Sequence, residues 1–140
     1  MLQYSQKKEV LDLTVITFLD EKNGMMFNNR RQSKDEVVKK YIKEIIGEET
    51  LYLSAYSKKY YDFGKEVNKF NNSMSFALVE DPKNMPLSID KFIIFYWNRH
   101  YPADSFFNCD LNKYVVTNET EIVGKSHEKI TVRTYERGNV

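Results

Sequence analysis

A pair of arginines, an aromatic and polar run, two histidines and a single cysteine are the residues of this 140-residue chain able to do more than pack. Arg30 and Arg31 follow Asn28-Asn29 and stand just ahead of a helix start. Unpaired backbone N–H groups and the helix dipole favour an anion there, and a planar guanidinium suits phosphate. The plainer reading is a solvated loop whose arginines pair with Asp35 and Glu36. In Trp97-Asn98-Arg99-His100-Tyr101, two rings could stack on a base while Asn98 reads its edge and Arg99 holds phosphate. The plainer reading there is an aromatic edge packed in the core, with Arg99 paired to Asp104.

His100 and His127 are the only histidines, so a nuclease using paired imidazoles would need both, with Lys129 beside them for the phosphate. Otherwise Ser126-His127-Glu128-Lys129 is a capped turn or helix start. Cys109 is the sole cysteine, which excludes a disulfide within the chain and a cysteine-based zinc cluster. It reads as a small packed residue rather than a nucleophile. No two histidines sit at ligand spacing, so no metal is predicted.

These residues must be positioned by a small number of elements. Leu11 to Leu19 is apolar and β-branched and ends at Asp20-Glu21-Lys22-Asn23-Gly24, a strand followed by a tight turn. Met25 to Phe27 continues extended, and Asn28 to Gln32 is a polar loop. Ser33, with Glu36 three residues on, reads as the capping box of a helix in which Val37, Val38, Tyr41, Ile42, Ile45 and Ile46 recur at three and four, ending at Gly47. Leu51 to Leu53 makes a short strand and Ser54 to Tyr61 opens a second helix. Met74 to Val79 is a strand, Pro82 to Pro86 a loop, and Ile89 to Trp97 a strand apolar enough to be covered on both faces. Tyr114 to Thr117 and Ile130 to Tyr135 are further strands, unless Ser126 caps a terminal helix instead.

Strand and helix alternate without a linker or repeat, which predicts one α/β domain over residues 1–140. Lysine and arginine number 21 against 20 acids, so nothing in the net charge of +1 argues for nucleic acid or membrane. No apolar run is long enough to span a bilayer, and Met1 to Val10 lacks the apolar stretch of an export signal, which with the lone cysteine predicts a cytoplasmic protein. Ten tyrosines and nine phenylalanines exceed what such a core needs, and some are expected to line a pocket or the interface of a homo-oligomer, a dimer or higher.

Two stretches resemble the ends of dihydrofolate reductase-like proteins. Val15-Ile16-Thr17-Phe18-Leu19-Asp20-Glu21-Lys22-Asn23-Gly24, followed by Asn29, is similar to the family's opening strand and its Asn-Gly loop. Tyr101-Pro102-Ala103-Asp104-Ser105-Phe106-Phe107 resembles its Gly-Asp-Thr-Phe-Phe turn, and the segment ending Arg133-Thr134-Tyr135-Glu136-Arg137 resembles its closing hairpin. The resemblance implies a three-layer sandwich, a central mixed sheet flanked by a few helices, small and truncated in the middle. It also implies that Asp35 lies near the family's substrate-binding carboxylate.

The family's Leu-Pro-Trp segment is here Arg30-Arg31-Gln32. Its phosphate-holding Gly-Arg-x-Thr helix opening has no counterpart near Leu53-Ser54-Ala55, and Ser75 to Val79 occupies the region of its Gly-Gly dipeptide. The expectation is therefore no cofactor. The chain also resembles, more loosely, small proteins of Gram-positive bacteria and their phages, through Asn28 to Asp35, Trp97 to Asp104 and Ser126 to Ile130. Some of those bear a ribonuclease name, but its metal-binding His-x-His-x-Asp-His string is absent here.

The combined expectation is a protein that binds a small nucleotide-like ligand through Asn28, Asn29, Arg30, Arg31, Asp35, Trp97, Asn98, Arg99, Tyr101 and Asp104. By analogy with phage sponges, it would act by sequestering a host signal nucleotide. The alternatives are a diverged reductase, a small ribonuclease using His127, His100 and Lys129, or an anti-defence interaction module with no small ligand.

Overall fold

A computed structural model describes residues 12–138. Leu11, the first residue of the predicted opening strand, and the stretch from Met1 to Val10 lie outside the described residues. In chain order the elements are strands β1 (Thr14–Leu19), β2 (Gly24–Phe27) and β3 (Arg30–Arg31), helix α1 (Glu36–Ile46), strand β4 (Leu51–Leu53) and helix α2 (Ala55–Lys58). Then come strands β5 (Lys65–Glu66), β6 (Phe76–Leu78), β7 (Lys91–Tyr96), β8 (Ser105–Phe106), β9 (Tyr114–Ile122) and β10 (Ile130–Arg137). Single 3-10 turns occupy Pro82–Asn84 and Leu111–Lys113.

The apolar opening run becomes the sheet's central strand, buried along its whole length. Parallel strands β6 and β7 flank it, and the full order is β5-β4-β6-β1-β7-β10-β9. The last two strands run antiparallel, as a closing hairpin does. A second sheet, β3-β2-β8, sits at the C-terminal end of β1. The mixed sheet and its helices form the expected α/β architecture.

Side chains alternate across the sheet. Ile16, Phe18, Leu78, Ile93, Phe95 and Trp97 face α1, where Val38, Ile42 and Ile46 meet them at four-residue spacing. Val15, Leu19, Ala77, Val79, Phe92 and Ile94 face the other way, toward Met25, Met26, Met74 and Ile89. Strand β2, Tyr56 of α2 and loop residues cover that second face.

Three local expectations change. Ser33 is not the helix cap: Asp35, in extended conformation, accepts from the Val37 N–H, while the Ser33 hydroxyl bonds His127 and Glu36 accepts from Tyr60. The polar loop at Asn28 to Gln32 is a hairpin, because Asn28 and Asn29 both take the positive φ that a two-residue turn requires. The strand starting at Tyr114 runs on to Ile122, and Ser126 lies in the turn after it rather than opening a helix. As an edge strand with most side chains exposed, β9 lacks an apolar signature over its second half.

Candidate functional site

The parallel strands β1, β6 and β7 end at the same edge of the sheet, and ligands gather at that edge in open α/β folds. Three buried carboxylates stand there: Asp20 just after β1, Glu80 two residues after β6, and Asp35 at the head of α1. Unpaired, each would be costly. The surrounding chain supplies partners for all three.

Asp20 accepts from the Lys22 and Gly24 N–H groups and from Gln32 Nε2, at 2.8, 2.7 and 2.9 Å. Burial pushes its carboxyl up, but those donors outweigh it and hold the group below its ordinary value. They fix the β1–β2 turn. An added Cβ on Gly24 would lie 2.7 Å from both Ala103 Cβ and Gln32 Nε2, so only glycine fits where Pro102-Ala103 crosses.

Glu80 receives both arms of Arg31, at 2.7 and 2.9 Å, and the Ser57 hydroxyl at 2.8 Å. The Arg31 guanidinium also lies 4.6 Å from the Tyr56 ring centre. Burial works to lower the arginine's pKa, yet the Glu80 carboxylate more than offsets it and raises it. Arg31 is thus held inward, away from solvent anions.

Asp35 is the most heavily bonded of the three. Its carboxylate accepts from the backbone N–H of Val37, Lys125 and Ser126, each at 2.9 Å, from Ser126 Oγ, and from His127 Nδ1 at 2.8 Å. Burial pushes this carboxyl up too, and the donors of Lys125, His127, Ser126 and Val37 overcome it and hold it well below the usual carboxylate range. The turn between β9 and β10 is clasped onto the head of α1. Gly124 is needed there, since a Cβ would sit 2.5 Å from Asp35 Oδ2.

With Nδ1 donating to Asp35, the neutral form of the His127 ring has its lone pair on Nε2. It faces Ser33 Oγ at 2.8 Å and the Tyr101 hydroxyl at 3.1 Å. The Trp97 ring stacks on the imidazole at 4.7 Å between centres and on Phe18 at 5.8 Å. At 2% exposure Trp97 has no face left for a ligand base.

The remaining candidates divide between structural ties and an open cleft. Asn98, at φ 59, donates to Lys129 O and Thr131 Oγ1, and Arg99 donates to Ser126 O, so the end of β7 is tied to the approach to β10. Asp104 accepts from the Asn28 N–H. Lys129 pairs with Glu121 on β9 and His100 is exposed; among the described residues neither hydrogen-bonds His127. Cys109 is half-buried, where burial pushes its thiol up and away from reactivity.

What does open to solvent is a cleft of about 500 Å³ lined by Phe27, Asn28, Arg30, Arg31, Gln32, Tyr101 and Pro102. Arg30 is exposed and, among the described residues, in no ion pair. Phe27, 42% exposed, lies opposite it in the hairpin. A second hollow of about 310 Å³ lies between the ends of β4 and β6, lined by Asn29, Tyr56, Ser57, Glu80 and Asp81 among others. No cluster of three metal-ligating side chains exists among the described residues, and no helix there is long and apolar enough to cross a membrane.

Sequence reasoning placed Asn28, Arg30, Arg31 and Tyr101 in the ligand set, and the fold brings these four to one cleft. It missed Glu80, Gln32, Phe27 and the partnership of Ser33, Asp35 and His127. The one available signal was an acid directly behind the buried Ala77-Leu78-Val79 run.

No protein-family model and no curated protein matches this chain. Among solved structures it is similar to dihydrofolate reductase from Enterococcus faecalis, complexed with NADP(H) and RAB-propyl. The TM-score is 0.70 at 12% identity, over 91% of this chain and 97% of that one. The fold is therefore dihydrofolate reductase-like, as the two ends of the sequence suggest.

Proposed function

We propose that this chain is a binding protein for a small, phosphate-bearing, nucleotide-like molecule held in the cleft between the β2–β3 hairpin and Tyr101-Pro102. The observation that carries this reading is Arg30, an exposed guanidinium outside any ion pair among the described residues, at a concave site beside an exposed Phe27 ring. A planar cation next to an aromatic face and a few polar groups suits an anion attached to a flat ring. Arg31 lines the same cleft but stays anchored on Glu80. Asp35 and Trp97 act from behind, holding Tyr101 in place through His127. In the phage-like setting suggested by the looser resemblance, such a protein would act by sequestering a host signal nucleotide.

The reductase alternative requires the nicotinamide dinucleotide found in the enterococcal enzyme. By the family resemblance, its phosphates would sit at the opening of α2 and behind β6. In this chain that hollow presents Glu80 and Asp81, and the nearby Arg31 is bound to Glu80. An anionic pyrophosphate does not fit there.

A thermal-shift screen over mononucleotides, dinucleotides and cyclic nucleotides tests the binding reading. At least one member should raise the melting temperature, and Arg30→Ala should weaken that ligand tenfold or more. A well-folded protein that responds to none of them would overturn the reading. It would favour a protein partner instead, for which the exposed Val115 and Val116 on the β9 edge offer a surface.

A further inference from the structure

We infer that Ser33, His127 and Asp35 form a charge-coupled nucleophile, with Ser33 Oγ able to attack small carboxylic esters that enter the Arg30 cleft. The geometry is that of a hydroxyl activated by an oriented imidazole. Ser33 Oγ lies 2.8 Å from His127 Nε2, and His127 Nδ1 lies 2.8 Å from Asp35 Oδ2. Ser33 and Asp35 lie two residues apart just ahead of α1, and the clasp of the β9–β10 turn on the head of that helix brings His127 to them.

Each member is held for its role. The bond from Nδ1 to Asp35 fixes the tautomer that leaves Nε2 as acceptor, so the Ser33 hydroxyl is the donor in that pair. The Trp97 face, stacked on the ring, would stabilise the imidazolium that forms when the proton is taken. Tyr101 donates to Ser33 Oγ at 3.3 Å and its hydroxyl lies 3.1 Å from His127 Nε2, which holds the attacking atom and the base together at the cleft wall.

Ser33 is partly exposed, and Tyr101, whose hydroxyl touches it, lines the cleft. Gln32 and Arg31 line both that cleft and a cavity of about 10 Å³ that Ser33 also lines, roughly the room of one water. Gln32 Oε1 is buried without a hydrogen-bond partner among the described residues.

Ser33 Oγ bonds to the ester carbonyl carbon while His127 Nε2 takes its proton; the carbon–oxygen bond to the alcohol then breaks, and the alcohol oxygen takes that proton from Nε2. A water attacks the acyl-serine by the same route, one of its protons passing through Nε2 to Ser33 Oγ, and the carboxylic acid leaves. His127 is a catalytic residue in this scheme and Asp35 a positioning residue.

This inference does not depend on the nucleotide reading, because its test needs no nucleotide. The full chain is exposed to a fluorophosphonate that phosphonylates activated serines, then digested and mapped by mass spectrometry. The adduct should form on Ser33, disappear in Ser33→Ala, and form at least about 100-fold more slowly in Asp35→Asn, whose folding is checked by its melting transition. Should Asp35→Asn fail to fold, the site of the adduct in the unaltered protein still decides the matter. Absence of any adduct on the folded protein at millimolar probe, or an adduct on a serine other than Ser33, would overturn the proposal. The network would then be only a tie between the turn and the helix.

Discussion

Asp35 shows how one side chain can serve both fold and site. Its carboxylate caps α1, clasps the β9–β10 turn and orients His127, so a single ionised group holds three parts of the molecule in register. Asp20 does the same for the β1–β2 turn on a smaller scale. Both carboxyls are held below their ordinary value in the fold, so the unfolded chain binds more protons as the pH falls. Their stabilisation is complete above the unfolded value of about 3.9 and is lost as the pH drops toward the folded values. Urea midpoints measured from pH 7 downward should therefore fall below about pH 4, and Asp20→Asn should flatten that decline. An unchanged slope in the variant would show that Asp20 is not held low.

At the scale of elements, the β2–β3 hairpin matters most, because it presents Phe27 and Arg30 to the same cleft. Its turn sets Asn28 at φ 52 and Asn29 at φ 60, a left-handed pair that asparagine tolerates, glycine prefers and alanine resists by about 1 kcal/mol or more. Asn29→Ala should lower the melting temperature by roughly 3–5 °C while Asn29→Gly holds or raises it. Calorimetry giving the reverse order would contradict the turn. The Asn-Asn pair was visible in the sequence, but the hairpin was not, since Arg30 and Arg31 have no strand signature and pair over only two residues. By contrast α1 and the long apolar strands were legible, because Val38, Ile42 and Ile46 or the run from Phe92 to Phe95 declare their periods locally. The site is legible only in part for the same reason. Arg30 and Tyr101 stood out by type, but Arg31 finds Glu80 49 residues away and Asp35 finds His127 92 residues away, and no local pattern marks such partners.

At the scale of the whole molecule, a reductase-like scaffold carries different side chains at the strand ends where its chemistry would lie. A scaffold does not fix a reaction; the groups placed on it do. Behind β6, where the family resemblance would seat a dinucleotide, this chain places Glu80 and Asp81. It closes Arg31 onto Glu80 in a buried pair, whose breaking by removal of one partner costs about 3–5 kcal/mol. A pyrophosphate entering there would have to displace that pair or lie against two carboxylates, and neither leaves net attraction. Saturating NADPH should therefore leave the melting temperature unchanged, whereas a surviving site filled at 100 times its dissociation constant would add about 2.7 kcal/mol. For a domain of this length that is a rise of roughly 8 °C or more, far outside the scatter of a melting curve. A rise of that size would mean that Arg31 can release Glu80 to receive phosphate, and the reductase reading would return ahead of the binding one.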